Sequence, residues 1–186
     1  MKTADNRIAL SWESIMAGLK LIQDKHRRLC MHRLLDFYKE KFISNPAAVK
    51  HHHNRVGGLC VHTSQVLGLA LQLYHDFRAN VPNVSMENVY VAVILHDLSK
   101  TQLYRLRDDD AALNLSCPFE YVPDWKYEHD IWTLSEAARF ELLLSYDEMM
   151  GVMQAHGGWS KLNEPVNKLA VIVHCADMMS SQLLKR

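Results

Sequence analysis

The sequence has no long hydrophobic run, no paired cysteines, no excess of charge and no glycine-rich phosphate loop, and each absence closes off a class of function. The longest apolar stretch, near Val89 to Leu95, is far too short to cross a bilayer. The start, Met1-Lys2-Thr3-Ala4-Asp5, does not lead into a secretory signal. The expectation is a soluble, cytoplasmic protein with no membrane partner. Cys30, Cys60, Cys117 and Cys175 are scattered with no CxxC pair, which argues against a disulfide framework or a thiolate zinc site. They are expected to be buried, reduced thiols. Twenty-one Lys and Arg balance 21 Asp and Glu, so no global charge draws the chain toward nucleic acid or an anionic membrane. There is no P-loop or dinucleotide fingerprint and no GxSxG elbow. Cys175 adjoins His174, but adjacent residues on a helix point apart, which disfavours a Cys-His nucleophile.

What is present is a 186-residue chain, 48% hydrophobic and 23% charged, enough for one domain with a sizeable core. No repeat or linker divides it, and the apolar spacing is mostly helical. Ser11 is placed to cap a first helix through Trp12, Ile15, Met16, Leu19 and Ile22. A second helix, with Leu29, Leu34, Leu35, Phe37, Tyr38 and Phe42, stops by Asn45-Pro46, because the residue before proline is pushed out of helical geometry. Gly57-Gly58 marks a turn before a helix from about Leu59 to Phe77. Ser85 caps a helix that ends on His96-Asp97. Residues 101–128 carry Asp108-Asp109-Asp110, Pro118 and Pro123 and read as a long loop, with room for a short strand pair. Helical pattern returns from about Ile131 to Leu144. A capping box at Ser145-Tyr146-Asp147-Glu148 starts a short helix closed after His156 by Gly157-Gly158. Glu164 or Pro165 opens the last helix. The fold class is therefore all-α, a compact helical bundle, with residues 1–49 as an N-terminal helical segment packed on a domain of residues 50–186.

Eleven histidines are the unusual count. His96-Asp97 ends an apolar helix, and two adjacent ionisable groups at such a place need partners. A divalent metal serves both, and imidazole with carboxylate suits manganese, iron, nickel, cobalt or zinc. His62 lies early in the preceding helix. Asp177 sits in the last helix between apolar neighbours, where a buried carboxylate needs a cation or several donors. Alone, the dipeptide reads equally well as a helix-end histidine beside an exposed aspartate. His26 and His32 read as structural or exposed, and the Met149-Met150 and Met178-Met179 pairs as core.

The order His62, His96-Asp97, Asp177 resembles the HD-domain superfamily of metal-dependent phosphohydrolases, over roughly residues 50–180. Three segments carry the likeness: His52-His53 followed by Gly57-Gly58-Leu59-Cys60-Val61-His62-Thr63, then Val93-Ile94-Leu95-His96-Asp97-Leu98-Ser99-Lys100, then Ala176-Asp177-Met178-Met179-Ser180. The resemblance implies metal ligation by His62, His96, Asp97 and Asp177. Two-metal members place two further histidines between the pair and the last aspartate, and His129 and His156 stand in that order, with Asp97 as the implied bridge. Without the resemblance, both read as ordinary helix-end histidines.

A metal lowers the pKa of its bound water, and so supplies hydroxide for attack on a phosphate ester or anhydride near neutral pH. Lys100 would offset phosphate charge in the transition state. His53, Asn54 and Arg55 precede the first ligand helix within reach of a phosphate, and the resemblance singles out His53. The expected function is a phosphohydrolase with one or two divalent metals, catalytic Asp97 and Lys100, and Lys100, His53 and Arg55 on the substrate. A small phosphorylated substrate, a nucleotide, is the first choice. A single-strand nuclease is second: the wording near Gly57-Gly58 and His62 also resembles the HD domain of certain 3′-to-5′ exoribonucleases and relaxase-associated domains, but those usually carry an added nucleic-acid-binding domain not seen in this chain, and zero net charge disfavours nonspecific polyanion binding. A catalytically silent HD-fold binding protein is the alternative of another class. A homo-oligomer is compatible with all three.

Overall fold

Helices form wherever apolar residues recur three and four apart. The computed structural model describes residues 2–107, 118–122, 128–157 and 167–184. In chain order these form α1 (Lys2–Ala17), a 3-10 turn (Gly18–Leu21), α2 (Lys25–Ser44), α3 (Gly58–Phe77), a second 3-10 turn (Arg78–Asn80), α4 (Met86–Leu95), the single-turn α5 (Lys100–Leu103), β1 (Tyr104–Leu106), β2 (Phe119–Tyr121), α6 (His129–Arg139), α7 (Tyr146–Met153) and α8 (Lys168–Leu183). The fold is an all-α bundle. Its one small antiparallel ribbon, among the described residues, pairs Tyr104 with Tyr121 and Leu106 with Phe119. No helix described is long and apolar enough to cross a membrane.

The centre of the bundle is α3, which packs on α1, α2, α4 and α8, while α4 lies on α7 and α8. Every residue of α4 from Val89 to Leu95 is fully buried; a helix apolar on all sides belongs in a core. One hydrophobic cluster runs from Ile15 of α1, through Met31, Leu34 and Phe42 of α2, to Val173 and Ala176 of α8. The charged network beneath it is equally specific. Arg27 of α2 donates to Glu87 and, at 2.6 Å, to the wholly buried Glu148, which also accepts from Asn88 Nδ2 at 3.0 Å and from the Ser145 amide at 2.8 Å. This clamps α2 to the starts of α4 and α7.

Local chemistry places most helix ends. The Asp24 side chain caps α2, and Asn45, extended before Pro46, ends it. Ser85 and Ser145 head capping boxes. Asn45 is buried and its Nδ2 donates to the carbonyls of Lys100 and Thr101, at 3.0 and 3.2 Å, which ties the end of α2 to the chain just beyond His96-Asp97. Gly58 is needed for close approach: a Cβ there would lie 1.9 Å from the His53 carbonyl oxygen.

Five expectations are corrected. Ser11 lies inside α1, which starts nine residues or so earlier than a Ser11 cap requires; the helix tightens at Gly18, where a Cβ would meet the Tyr90 ring at 2.4 Å. α6 ends at Arg139 rather than near Leu144, because Glu141 adopts a left-handed φ of 58° and the chain reverses, with the Leu142 amide donating to Ala137 O. α8 begins at Lys168, capped by Asn167; Glu164 and Pro165 lie outside the described residues, as do Gly158, Asp108-Asp109-Asp110, Cys117 and Pro123. Cys30 and Cys60 are buried, but Cys175 is exposed. Nor are the methionine pairs deep core, since Met178 is exposed and the other three are only half-buried.

Candidate metal centre

Five elements converge on one buried point. His62 comes from α3, His96 and Asp97 from the end of α4, His129 from the first residue of α6, His156 from the turn after α7, and Asp177 from α8. Turn geometry continues past α4, with Leu98 N bonded to Leu95 O and Lys100 N to Asp97 O, so Lys100 returns to the face of Asp97. Gly157, at φ 54°, lets the His156 turn pass under the His174 ring, where a Cβ would stand 2.3 Å from Cε1.

Asp97, wholly buried, is the hub. Its Oδ2 lies 3.4 Å from His62 Nε2 and 3.4 Å from His96 Nε2, and accepts from Lys100 Nζ at 2.7 Å. Its Oδ1 faces the other way, 3.3 Å from His156 Nε2 and 3.5 Å from His129 Nε2. Asp177 Oδ1 is 3.0 Å from His62 Nε2, and its Oδ2 accepts from His156 Nδ1 at 3.2 Å. Despite these short distances, the Nε2 atoms of His62, His96, His129 and His156 and the Oδ1 of Asp97 are buried without a hydrogen-bond partner among the described residues. Five unsatisfied polar atoms facing one another in a core are costly unless a cation lies among them. Two of the trios whose ligand atoms lie within 4.8 Å of one another contain Asp97: His62, His96 and Asp97, and Asp97, His129 and His156. They share Asp97 through opposite oxygens. This imidazole-carboxylate set fits one or two divalent transition metals.

The ring orientations agree. His96 Nδ1 donates to Val93 O at 2.6 Å and His62 Nδ1 to Ser180 Oγ at 3.0 Å, which leaves each Nε2 lone pair turned into the cluster. Ser180 donates in turn to Gln65 Oε1.

Burial opposes the charge on Asp97, Asp177, His96, His129 and His156, and the balance differs from group to group. Burial pushes Asp97 up, but Lys100, His96 and the contacts to His129 and His156 outweigh it and hold the carboxyl well below its usual range. Asp177 behaves alike, with His156 and His62 as the offsetting partners. Burial lowers His96 to about 4 and lowers His129 as well. His156 is the exception: its burial is outweighed by Asp177 and Asp97, which raise it to about 9. With a carboxylate on either side, this is where the site most favours positive charge.

With this geometry in view, comparison with known proteins is informative. Its relatives are exoribonucleases. The chain is 28% identical, over an alignment of 195 residues, to the 3'-5' exoribonuclease YhaM of Geobacillus sp. (strain WCH70), covering 98% of this chain and 55% of that protein. It is 29% identical over 161 residues to the 3'-5' exoribonuclease YhaM of Listeria monocytogenes serovar 1/2a, covering 81% and 47%. For the 3'-5' exoribonuclease YhaM of Bacillus velezensis the figures are 27% over 164 residues, covering 85% and 49%. The chain spans about half the length of these curated relatives. No family model matches it. No solved structure matches it.

Of the remaining expected site residues, Lys100 and His53 fall close by. Lys100 is on Asp97. His53 is almost wholly buried, and both ring nitrogens are engaged, Nε2 with Gln65 Oε1 at 2.9 Å and Nδ1 with His52 Nδ1 at 3.1 Å. Arg55 is half-buried, and burial together with neighbouring Arg7 lowers its proton affinity. Sequence reasoning assigned no role to Ser180 or Gln65. A signal existed: Ser180 follows Asp177 by three residues and Gln65 follows His62 by three, so each shares its ligand's helix face.

Proposed function

We propose that the chain is an HD-superfamily phosphohydrolase domain, residues 50–186 with residues 1–49 packed on it, that uses divalent metals to cleave phosphodiester bonds at the 3′ end of RNA. The observation that carries this reading is Asp97, whose two oxygens face two separate sets of unsatisfied imidazoles. His62, His96, Asp97 and Asp177 are read as ligands of one metal, and Asp97, His129 and His156 as ligands of a second. Divalent metals held there supply Lewis acidity against phosphoryl oxygens and a low-pKa water near neutral pH. The chain's own residues do the rest. Val93 O and Ser180 fix the tautomers of His96 and His62. Lys100, anchored by Asp97, keeps a positive charge at the edge of the cluster, where it offsets charge building on the phosphate. Asp177 holds the Nδ1 proton of His156 and so fixes the direction of its Nε2. Hydrolysis adds water across the P–O3′ bond, giving a nucleoside 5′-monophosphate and a chain one nucleotide shorter with a free 3′-hydroxyl.

The name shared by the relatives moves the substrate choice from a small nucleotide, favoured by zero net charge, to RNA. The test is one panel with added manganese: single-stranded RNA and DNA against nucleoside mono-, di- and triphosphates, with bound metal measured in protein purified without chelator. Stepwise release of 5′-monophosphates from the 3′ end of RNA is expected. Turnover of free nucleotides alone would refute the RNA assignment. No bound metal and no gain on adding manganese would favour the silent binding protein.

A further inference from the structure

His52 has no part in the chemistry above, yet its ring lies against that of the ligand candidate His62. Its ring centroid is 4.7 Å from that of His62, and it is half-buried where His53 is fully covered. A chain of hydrogen bonds fixes how it is presented. Ser180 Oγ accepts from His62 Nδ1 and donates to Gln65 Oε1. The same oxygen can only accept from His53, so His53 carries its proton on Nε2. Two Nδ1 atoms that face each other need one acceptor between them, and His53, with its proton on Nε2, offers the Nδ1 lone pair. It faces His52 Nδ1 at 3.1 Å, so His52 donates there. The Nε2 of His52 is the end of the relay, and it carries a lone pair.

The backbone is strained to hold this arrangement. His53 adopts a left-handed φ of 49°, and its carbonyl occupies the space that only glycine at position 58 leaves open, accepting from the Ala47 amide at 3.2 Å. Residues forced into such conformations cluster at functional sites.

A lone pair beside the site repels a phosphate oxygen, which has no proton to give. It suits a hydroxyl donor within one nucleotide's reach of the metals. His52, His53 and His62 also have ligand atoms within 4.8 Å of one another, which would suit a further metal. The relay argues against that, because one of the two facing Nδ1 atoms must carry a proton and His62 Nε2 already faces Asp97 and Asp177. Resting on the exoribonuclease reading, we propose that His52 Nε2 accepts a hydrogen bond from the 2′-hydroxyl of the terminal ribose, and so selects RNA over DNA. His53, Gln65 and Ser180 are positioning residues for it. The 2′-hydroxyl is the group by which a protein tells the two sugars apart.

The test uses the full chain loaded with manganese. AMP and dAMP, the products of the two sugars, are titrated by calorimetry, and RNA oligomers ending in ribose or in 2′-deoxyribose are hydrolysed in parallel. The wild-type protein is expected to prefer AMP by about three- to tenfold, the worth of one hydrogen bond. His52→Ala should bind both equally, cleave both termini at equal kcat/KM, and keep its full metal content. His52→Gln, whose carbonyl restores an acceptor, should recover part of the preference, and Gln65→Leu should lose part of it. A preference that survives in His52→Ala overturns the proposal. Loss of a metal equivalent in that variant also overturns it, by making His52 a ligand. If wild-type protein hydrolyses RNA with no sugar preference, this proposal alone fails; if it hydrolyses no RNA, the exoribonuclease reading fails and takes this one with it.

Discussion

Replacing Ser180 with alanine separates a metal-ligand role for His62 from a merely structural one. Ser180 is fully buried, accepts from His62 Nδ1 at 3.0 Å and donates to Gln65 Oε1 at 3.0 Å. Alanine removes both bonds without touching any carboxylate or imidazole. Two independent losses follow. In metal-free protein the His62 Nδ1–H is left buried without its acceptor, at a cost of about 1–3 kcal/mol, which for a domain of this size lowers Tm by roughly 3–10 °C. In the metal-bound protein the ring is no longer held with Nε2 toward Asp97 and Asp177. Loss of such an outer partner weakens metal binding about 10- to 100-fold, or roughly 1.4–2.7 kcal/mol. Saturating metal stabilises the fold through its affinity, so the metal-induced rise in Tm shrinks by a matching amount. Manganese titration calorimetry and melts with and without metal read the two effects separately. Ser181→Ala is the control: its hydroxyl donates to Met178 O within the same helix, so metal affinity should be unchanged. A Ser180→Ala protein that melts lower but binds manganese within twofold of wild type would refute the assignment of His62 as an Nε2 ligand.

Other outcomes follow from the same geometry. Asp97→Asn should retain the helical circular dichroism spectrum but lose bound metal and hydrolysis, because both trios depend on that carboxylate; turnover near wild type would remove Asp97 from the site. Gly58→Ala should destabilise the fold by about 1–3 kcal/mol or more, since its Cβ meets the His53 carbonyl at 1.9 Å, and a chemical denaturation midpoint equal to wild type would show that this loop yields freely. Metal-free protein should be most stable near pH 6.5. His52, His53 and His96 are lowered to about 3, 4 and 4, so the unfolded chain takes up their protons first and stability falls as pH drops from 6.5 toward 4, by up to about 1.4 kcal/mol per pH unit for each histidine. His156 is raised to about 9, so its contribution is complete below pH 6.5 and is lost as pH climbs to 9. Denaturation in chelator across this range checks both limbs, and His156→Gln should flatten only the alkaline one.

Much of the fold was legible where a local rule acts alone. Asn45-Pro46 ended α2, Gly57-Gly58 turned the chain into α3, and Ser85 and Ser145 began α4 and α7 as their capping chemistry requires. The wholly apolar Val89–Leu95 was bound for the core, and the short strand pair in the region after it formed. Legibility failed where a distant contact decided a local boundary. Ser11 is a good cap by type, but α1 runs through it, and the tightening at Gly18 answers to Tyr90, seventy-two residues away in the chain. Glu141 turned left-handed with no glycine or asparagine to announce it. Cys175 reads as buried from its apolar neighbours, yet Val173 and Ala176 face the core and Cys175 faces out.

The sequence by itself determined the all-α class, the order of the histidines and aspartates, and the helices that carry them, because capping, proline geometry and apolar period are properties of neighbouring residues. Only the tertiary structure decided which atoms meet. It turned Asp97 so that one oxygen faces His62 and His96 and the other faces His129 and His156. It also placed Ser180 and Gln65 behind His62 and ran a relay through His53 to His52. Those are contacts between residues up to 118 positions apart, and no local rule encodes them: they exist because α3, α4 and α8 share one core, and packing that core brings their polar ends to a single point.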